Sequence, residues 1–422
     1  LCRWVLFVHV PFRCANAWAR PFSPRGYRFL STFIDSQIPI RENGRHRLSR
    51  YKWGDTMHDE QRALTIALAM CPGVERGTLI RLVEGMHGAA CVWHADREEW
   101  LKVARLRPET MARLDRWRQK ANPVQLEAWL REQGVACLVR GASDYPPALL
   151  DLPTPPLVLF ACGNLEALEK PVIGVVGTRR ASTYGLEAAR WVGQVVAEAG
   201  FTVLSGMALG IDGAAQEAAL AAGGWTVAVQ ACGNDICYPP SHRALYAQIR
   251  KNGLLLSEYP LGTPIARHRF PERNRILAAL SKALVVIQAG DKSGALGTAD
   301  MALELGREVY AAPGPITSLH CRGSNRLLQE GARLMLDPHD LVVDLGGLAP
   351  SSGTSRSGLP ERWLPLYESS LVAASADQLA AQLGWPIGKV YTGLLELELG
   401  GWLERRPGGG YRPGAGLQSK KR

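Results

Sequence analysis

The sequence predicts an α/β fold: a doubly wound parallel sheet, with a helical segment before it and a small helix-and-hairpin unit after it. Three observations carry this. Between residues 136 and 345, short apolar runs alternate with helix-length stretches, the βα rhythm of a parallel sheet. The apolar runs are near-continuous rather than alternating, as suits strands covered on both faces. Three of them end in turns rich in Gly, Ser and Thr, the place where such sheets hold phosphate.

Residues 1–56 show no helix or strand periodicity and are rich in Arg, Phe and Pro. Trp4 to Phe12 is apolar but too short to span a membrane, and Ala15-Asn16-Ala17 could pass for a cleavage site. The first methionine, Met57, stands directly before a helix opening. We therefore expect residues 1–56 to be a non-native or disordered leader. They hold ten lysines and arginines against three acids, so they carry +7 of the net charge of +10 and the other 366 residues carry +3. Bulk basicity is thus a weak argument for nucleic-acid binding, and any binding must come from local clusters. The nine cysteines are odd in number and irregularly spaced, which fits a reduced, cytoplasmic protein rather than a disulfide framework. Cys232, Cys237 and His242 fall short of the four close ligands of a metal site.

Residues 57–135 read as helical, with Leu64, Leu68, Leu79, Leu82 and Val83 at helical spacing. Cys71-Pro72-Gly73-Val74 breaks the first helix from the second, either as a helix-hairpin-helix turn or as an ordinary joint. Strands are expected at 172–176, 202–204, 226–229, 254–256, 284–287, 309–312 and 334–336. Helices are expected at 186–199, 214–222 and 298–305. Residues 346–362 read as a flexible linker, and 346–358 have almost no apolar side chains. Residues 363–414 form one more unit. Ser375 can cap a helix carrying Leu379 and Leu383 that ends at Gly384, and Pro386 can open a second holding Val390, Leu394, Leu395 and Leu399. Residues 402–411 read as a hairpin with a glycine-rich tip. Helix, turn, helix, hairpin is the winged-helix order.

The densest chemical signal is Arg267-His268-Arg269-Phe270-Pro271-Glu272-Arg273-Asn274-Arg275. Arginines fork phosphates, and a phenylalanine among them offers a base something to stack on. The first predicted strand runs into Gly177-Thr178-Arg179-Arg180, the second into Ser205-Gly206 and on to Asp212, the fifth into Lys292-Ser293-Gly294. Together these turns would line one amide-rich crevice at the sheet edge. Asp212 reads as a helix cap before it reads as a catalytic carboxylate. No Walker loop, nucleophile elbow or zinc-protease helix is present, and no carboxylate pair points to acid–base work. No catalytic residue, metal or cofactor is therefore expected.

These residues together resemble the DprA/Smf family of bacterial DNA-processing proteins. The resemblance runs through Val176-Gly177-Thr178-Arg179, Ser182-x-Tyr184-Gly185, Ser205-Gly206-x-Ala208-x-Gly210-Ile211-Asp212, Gly233-x-Asp235, Tyr238-Pro239, Ser257-Glu258-Tyr259-Pro260, Phe270-Pro271-x-Arg273-Asn274-Arg275, Ser293-Gly294-Ala295 and Pro313-Gly314. It implies an extended Rossmann-like core that binds single-stranded DNA in natural transformation, a homodimer, and hand-over of the strand to RecA. It also implies a SAM-like helical domain at 57–135 and a winged helix at the C-terminus. Carried over residue by residue, the DNA pocket falls on Gly177, Thr178, Arg179, Ser205, Gly206, Arg267, Phe270, Arg273, Asn274, Arg275, Lys292, Ser293 and Gly294. Arg267 stands where the family often has lysine, and Ala295 where it usually has serine. The rival enzyme reading is a Rossmann-like nucleotide phosphoribohydrolase, suggested by Gly294-Ala295-Leu296-Gly297-Thr298. That family has a glutamate where this chain has Met301. A winged-helix transcription factor is a second rival, but the helix opened by Pro386 carries only Lys389 against Glu396 and Glu398.

Overall fold

The computed structural model describes residues 59–346, 359–370, 375–405 and 411–413. The expected leader at 1–56, residues 347–358 of the expected linker and the glycine-rich hairpin tip lie outside the described residues. The rest divides into two compact units, one ending at Leu336 and one beginning at Asp337.

The first unit opens with six helices: α1 (Asp59–Ala69), α2 (Arg76–Gly85), α3 (Ala89–His94), α4 (Arg97–Val103), α5 (Pro108–Lys120) and α6 (Pro123–Glu132). Local chemistry sets their starts. Asp96 and Glu99 make a reciprocal capping box for α4, and Pro108 and Pro123 occupy the first turns of α5 and α6, where a missing N–H costs nothing. Trp100 and Trp117 anchor the bundle. Their indole N–H groups donate to Val92 O at 2.9 Å and Ala67 O at 2.7 Å, so the rings are buried without an orphaned donor.

A nine-stranded sheet follows: β1 (Ala136–Val139), β2 (Val158–Gly163), β3 (Val172–Val176), β4 (Thr202–Ser205), β5 (Trp225–Gln230), β6 (Leu254–Ser257), β7 (Ala283–Val286), β8 (Glu308–Ala311) and β9 (Arg333–Leu334). Its order is β1-β2-β6-β5-β4-β3-β7-β8-β9. From β6 to β9 all pairs are parallel, as predicted. Two strands outside the expected set extend the sheet at one edge, where β1 pairs antiparallel with β2 and β2 antiparallel with β6. These two strands escape the βα reading because no helix of four turns separates them; a proline-rich stretch with one short 3-10 turn does.

The pleat sends alternate residues to two cores. Val227 and Val229 face one side with Leu204, Leu256 and Leu277, while Ala228 faces the other with Leu255 and Ile249. Helix α10 (Arg269–Leu280) covers the first face, and α11 (Gly294–Glu304) packs beside it. Helices α7 (Thr183–Glu198), α8 (Ile211–Ala221) and α9 (Arg243–Asn252) cover the second. The six N-terminal helices, expected as a domain of their own, share that second core: Leu68, Leu82 and Trp117 cluster with Val158, Phe160 and Leu255. Arg62 pins the junction, pairing with Glu127 at 2.9 Å and donating to Cys137 O at 2.6 Å. Helix α12 (Arg322–Gln329) leads to β9.

The second unit contains α13 (Pro338–Asp344), α14 (Leu364–Ser370), α15 (Ala376–Leu383), α16 (Ile387–Leu399) and a hairpin of β10 (Leu403–Arg405) with β11 (Tyr411–Pro413). Ser375 caps α15 through a box with Gln378, and Gly384 ends it at φ 65°. The core is Trp363, Leu366, Tyr367, Leu379, Val390, Leu394, Leu397 and Leu403. Leu395 and Leu399 lie in α16 as expected and are 56% and 74% exposed, while Leu397 takes the inward position.

Candidate nucleic-acid interface

The strand order reverses between β3 and β7. Chain from β3 proceeds to β4, β5 and β6 on one side, while β7 lies on the other. Loops leaving β3 and β7 therefore diverge and leave a crevice at the C-terminal edge, the usual ligand position in such sheets. The structure brings Gly177, Thr178, Arg179, Ser205, Gly206, Lys292, Ser293 and Gly294 to that edge, and the N-terminal half of α10 to its flank.

The β3 loop is held from below. Thr178 N donates to Gln288 O at 2.7 Å, and the Gln288 side chain accepts from Ser182 N at 2.9 Å. Gly177 is required by space, since a Cβ there would stand 2.5 Å from Ile211. Arg179 and Arg180 are exposed. The Arg179 guanidinium sits 4.8 Å from the centroid of the half-buried Phe270 ring, and Tyr238 meets the same ring at 5.7 Å, tilted by 52°. Cation and ring attract each other through the ring quadrupole. Arg267 and Lys292 are also exposed.

The β4 loop is built differently. The Ser205 hydroxyl is buried and donates to Val175 O at 2.6 Å. Gly206 N donates to Asp212 Oδ2 at 3.1 Å, and Met207 N to Gln216 Oε1 at 3.1 Å. Arg273, only 4% exposed, donates to Gly206 O at 3.1 Å and to Val229 O. A Cβ on Gly206 would stand 2.3 Å from that guanidinium. Asp212 and Arg273 thus grip the loop from either side of Gly206, one at its N–H and the other at its C=O. Burial pushes the Asp212 pKa up, and Arg273 with the amides of Ala208 and Gly206 pulls it back only in part. Burial likewise lowers Arg273 to about 10, against the opposing pull of Asp212. The expected cap is corrected: the cap residue of α8 is Gly210, and Asp212 lies in the first turn with its carboxylate turned to the loop.

Two sequence expectations change here. Arg273 and Arg275 are not exposed forks. Arg275 pairs with the buried Glu258 and donates to Thr154 O at 2.8 Å, while Arg273 braces the loop. Burial raises Glu258, with Arg275 and Arg76 opposing. Asn274 is half-buried and accepts from Arg273 Nε at 3.3 Å. The crevice is also less amide-rich than expected, because the amides of Thr178, Ser182, Gly206 and Met207 already have internal acceptors. Ser293 caps α11, accepting from Ala295 N at 3.3 Å. What faces solvent is the side-chain set Arg179, Arg180, Arg267 and Lys292, with Arg179 over Phe270.

The arrangement has counterparts. The model of the DNA recombination-mediator protein A family matches residues 136–346, half the chain and the whole of this crevice. The chain belongs to that family. A second model, the DprA winged helix domain, matches residues 370–409. Protein Smf of Synechocystis sp. is 32% identical over 84% of this chain and 100% of its own length. A putative DNA processing protein DprA of Mycobacterium tuberculosis is 42% identical over 63% of this chain and 72% of its own. Among solved structures, DNA processing protein A from Streptococcus pneumoniae covers 67% of this chain and 97% of its own at 31% identity, with a TM-score of 0.59.

Within this family member, sequence reasoning missed the parts that hold the site together. Gln288 braces two loops, and Tyr238 backs Phe270; Tyr238 was visible in a motif, but Gln288 left no signal because its role depends on a partner 106 residues away. Among the described residues no group of three or more His, Cys, Asp or Glu could hold a metal, and no helix is long and apolar enough to cross a membrane. Burial raises the thiols of Cys71, Cys137 and Cys232 to about 12, the state of inert packed cysteines.

Proposed function

We propose that this protein binds single-stranded DNA at the crevice between β3, β4 and β7, shields the incoming strand in natural transformation and loads RecA on it, acting as a cytoplasmic homodimer. The observation that carries the binding step is the exposed Arg179 guanidinium over Phe270, with Arg267 and Lys292 also exposed at the same sheet edge. In the free protein the cation covers the ring. When a strand arrives, the guanidinium turns to a phosphate and a base takes its place on the ring, so one pair serves both backbone and base. Gly177, Thr178, Ser293 and Gly294 give the backbone close approach, while Arg273 holds the Ser205-Gly206 loop from beneath, Asn274 rests against Arg273 and Arg275 is held by Glu258. Family membership supports the recombination role. The reading includes no catalytic step: Asp212 faces Arg273 rather than solvent, and Met301 stands where the hydrolase reading needs a carboxylate.

The test is binding of labelled oligonucleotides to the full chain at several salt concentrations. Single strands should bind far more tightly than duplexes of the same length. Removing Arg179 or Arg267 should each lower the log–log salt slope by about 0.7. Phe270→Ala should leave the slope alone and cost roughly 1–3 kcal/mol of binding. A Phe270→Ala protein that melts early, with unchanged slopes in the arginine variants, would sink the reading.

A further inference from the structure

Between β8 and α12 the chain forms the loop Pro315-Ile316-Thr317-Ser318-Leu319-His320. Its two large apolar side chains stand almost wholly in water: Ile316 is 89% exposed and Leu319 70%. The loop is nonetheless firmly held. Asn325 Oδ1 accepts from Gly314 N and its Nδ2 donates to Gly314 O, both at 3.0 Å. The Tyr184 hydroxyl donates to Pro313 O. Ser318 N donates to Pro315 O at 3.0 Å, and Cys321 N to Ser318 O at 3.1 Å. The apolar pair is therefore presented by a braced turn rather than left on a fraying end.

The bracing residues belong to the crevice. Gln288 reaches Cys321 Sγ at 3.3 Å with the same amide nitrogen that donates to Ser182 Oγ at 3.0 Å. Tyr184 opens α7 directly after the β3 loop. Leu319 O lies 3.1 Å from where a Cβ on Gly290 would stand, two residues before Lys292. The apolar pair thus continues the edge formed by the loops after β3 and β7. Two exposed cations flank the loop in sequence and space, Lys292 and Arg322, the latter meeting the exposed Asp291 at 3.5 Å.

We propose that Ile316 and Leu319 form a second base-contacting surface, an apolar shelf for the bases of single-stranded DNA next to those at Phe270. This rests on the strand-binding reading and extends it to residues outside that site. Aliphatic side chains wedge against base faces, and the flanking Lys292 and Arg322 suit the phosphates between successive bases. An apolar pair on a loop that runs on to Arg322 and packs beside the segment leading to Lys292 matches a strand, which alternates apolar rings with anionic linkers. It matches a second protein surface less well, because burying those cations would require acidic partners of its own.

The test uses the full chain and labelled oligothymidylates of about 6 and about 20 nucleotides, a span set by the site sizes of single-strand binders. The double variant Ile316→Ser/Leu319→Ser should lose about tenfold in affinity for the longer strand, as expected for one lost base contact. It should keep its affinity for the shorter strand and its melting temperature. Ile316→Trp should bind the longer strand more tightly. Arg179→Ala should weaken both lengths. If the double variant binds the longer strand like the parent while Arg179→Ala weakens both, the shelf is overturned and the strand site stands. If Arg179→Ala changes neither length, the strand-binding reading falls and the shelf with it. A change of mass in light scattering with unchanged DNA affinity would assign the loop to self-association and overturn the shelf.

Discussion

Arg179 and Arg273 carry the same charge at the same crevice, yet one stands in water and the other lies beneath the β4 loop. The difference is in what each guanidinium can satisfy. Arg273 finds two backbone carbonyls and a buried carboxylate, whereas Arg179 finds only a ring face. Their variants should therefore part company. Arg273→Met leaves the Gly206 and Val229 carbonyls without their donor and takes away the cation whose charge reaches Asp212, and each buried polar group left unsatisfied costs about 1–3 kcal/mol of stability. Arg179→Ala should cost at most about 0.5 kcal/mol, as for an ordinary surface change. Urea unfolding measures both. The pH dependence of Arg273→Met has a definite sign. Asp212 is already raised by burial, and losing the cation raises it further. A raised folded pKa means stability that is full below the unfolded value and lost as pH rises through the folded one. The deficit of Arg273→Met should shrink toward acid. A deficit that stays the same down to acid pH would show that Asp212 does not take up a proton in that range.

Helices show the same contrast between pattern and context. In α16 the leucines at 394, 395, 397 and 399 are equally apolar, and spacing alone admits more than one inward face. Packing against Trp363 and Leu366 selects Val390, Leu394 and Leu397, and leaves Leu395 and Leu399 outside. Leu397→Ala should then cost about 2–5 kcal/mol in the second unit, the usual result of emptying a leucine site. Leu399→Ala should cost at most about 0.5 kcal/mol. Circular dichroism melts of the two variants decide it; equal losses would mean that Leu399 is packed. The arginine run obeys a similar rule. It spans the entry to α10, so 267 lies before the helix while 273 and 275 lie within it, and their directions follow the helix rather than the charge pattern.

At the scale of the molecule, the N-terminal helices and the sheet have one core, not two. Val158, Phe160, Cys162 and Leu255 face Leu68, Leu82 and Trp117, with Arg62 closing the junction. Removing residues 57–135 should uncover that apolar sheet face, and the remaining chain should be insoluble or aggregate on purification. Recovery of a monomeric, cooperatively melting fragment from 136 onward would contradict the shared core.

The parallel part of the sheet was legible because each strand there is an apolar run followed by a helix, and both periods are local. So were the crevice position and its glycines, since the turn chemistry lies in consecutive residues. The antiparallel edge of β1 and β2 was not legible. The pairing of β2 with β6 joins residues nearly a hundred positions apart, and no spacing within the strand announces it. The site divides the same way. Arg179, Phe270 and Lys292 could be named from local motifs. That Arg273 braces Gly206, that Arg275 is spoken for by Glu258, and that Gln288 ties two loops together were decided only by tertiary packing. A guanidinium or amide takes its role from whichever buried partner the fold brings within hydrogen-bond reach, and that partner lies elsewhere in the chain.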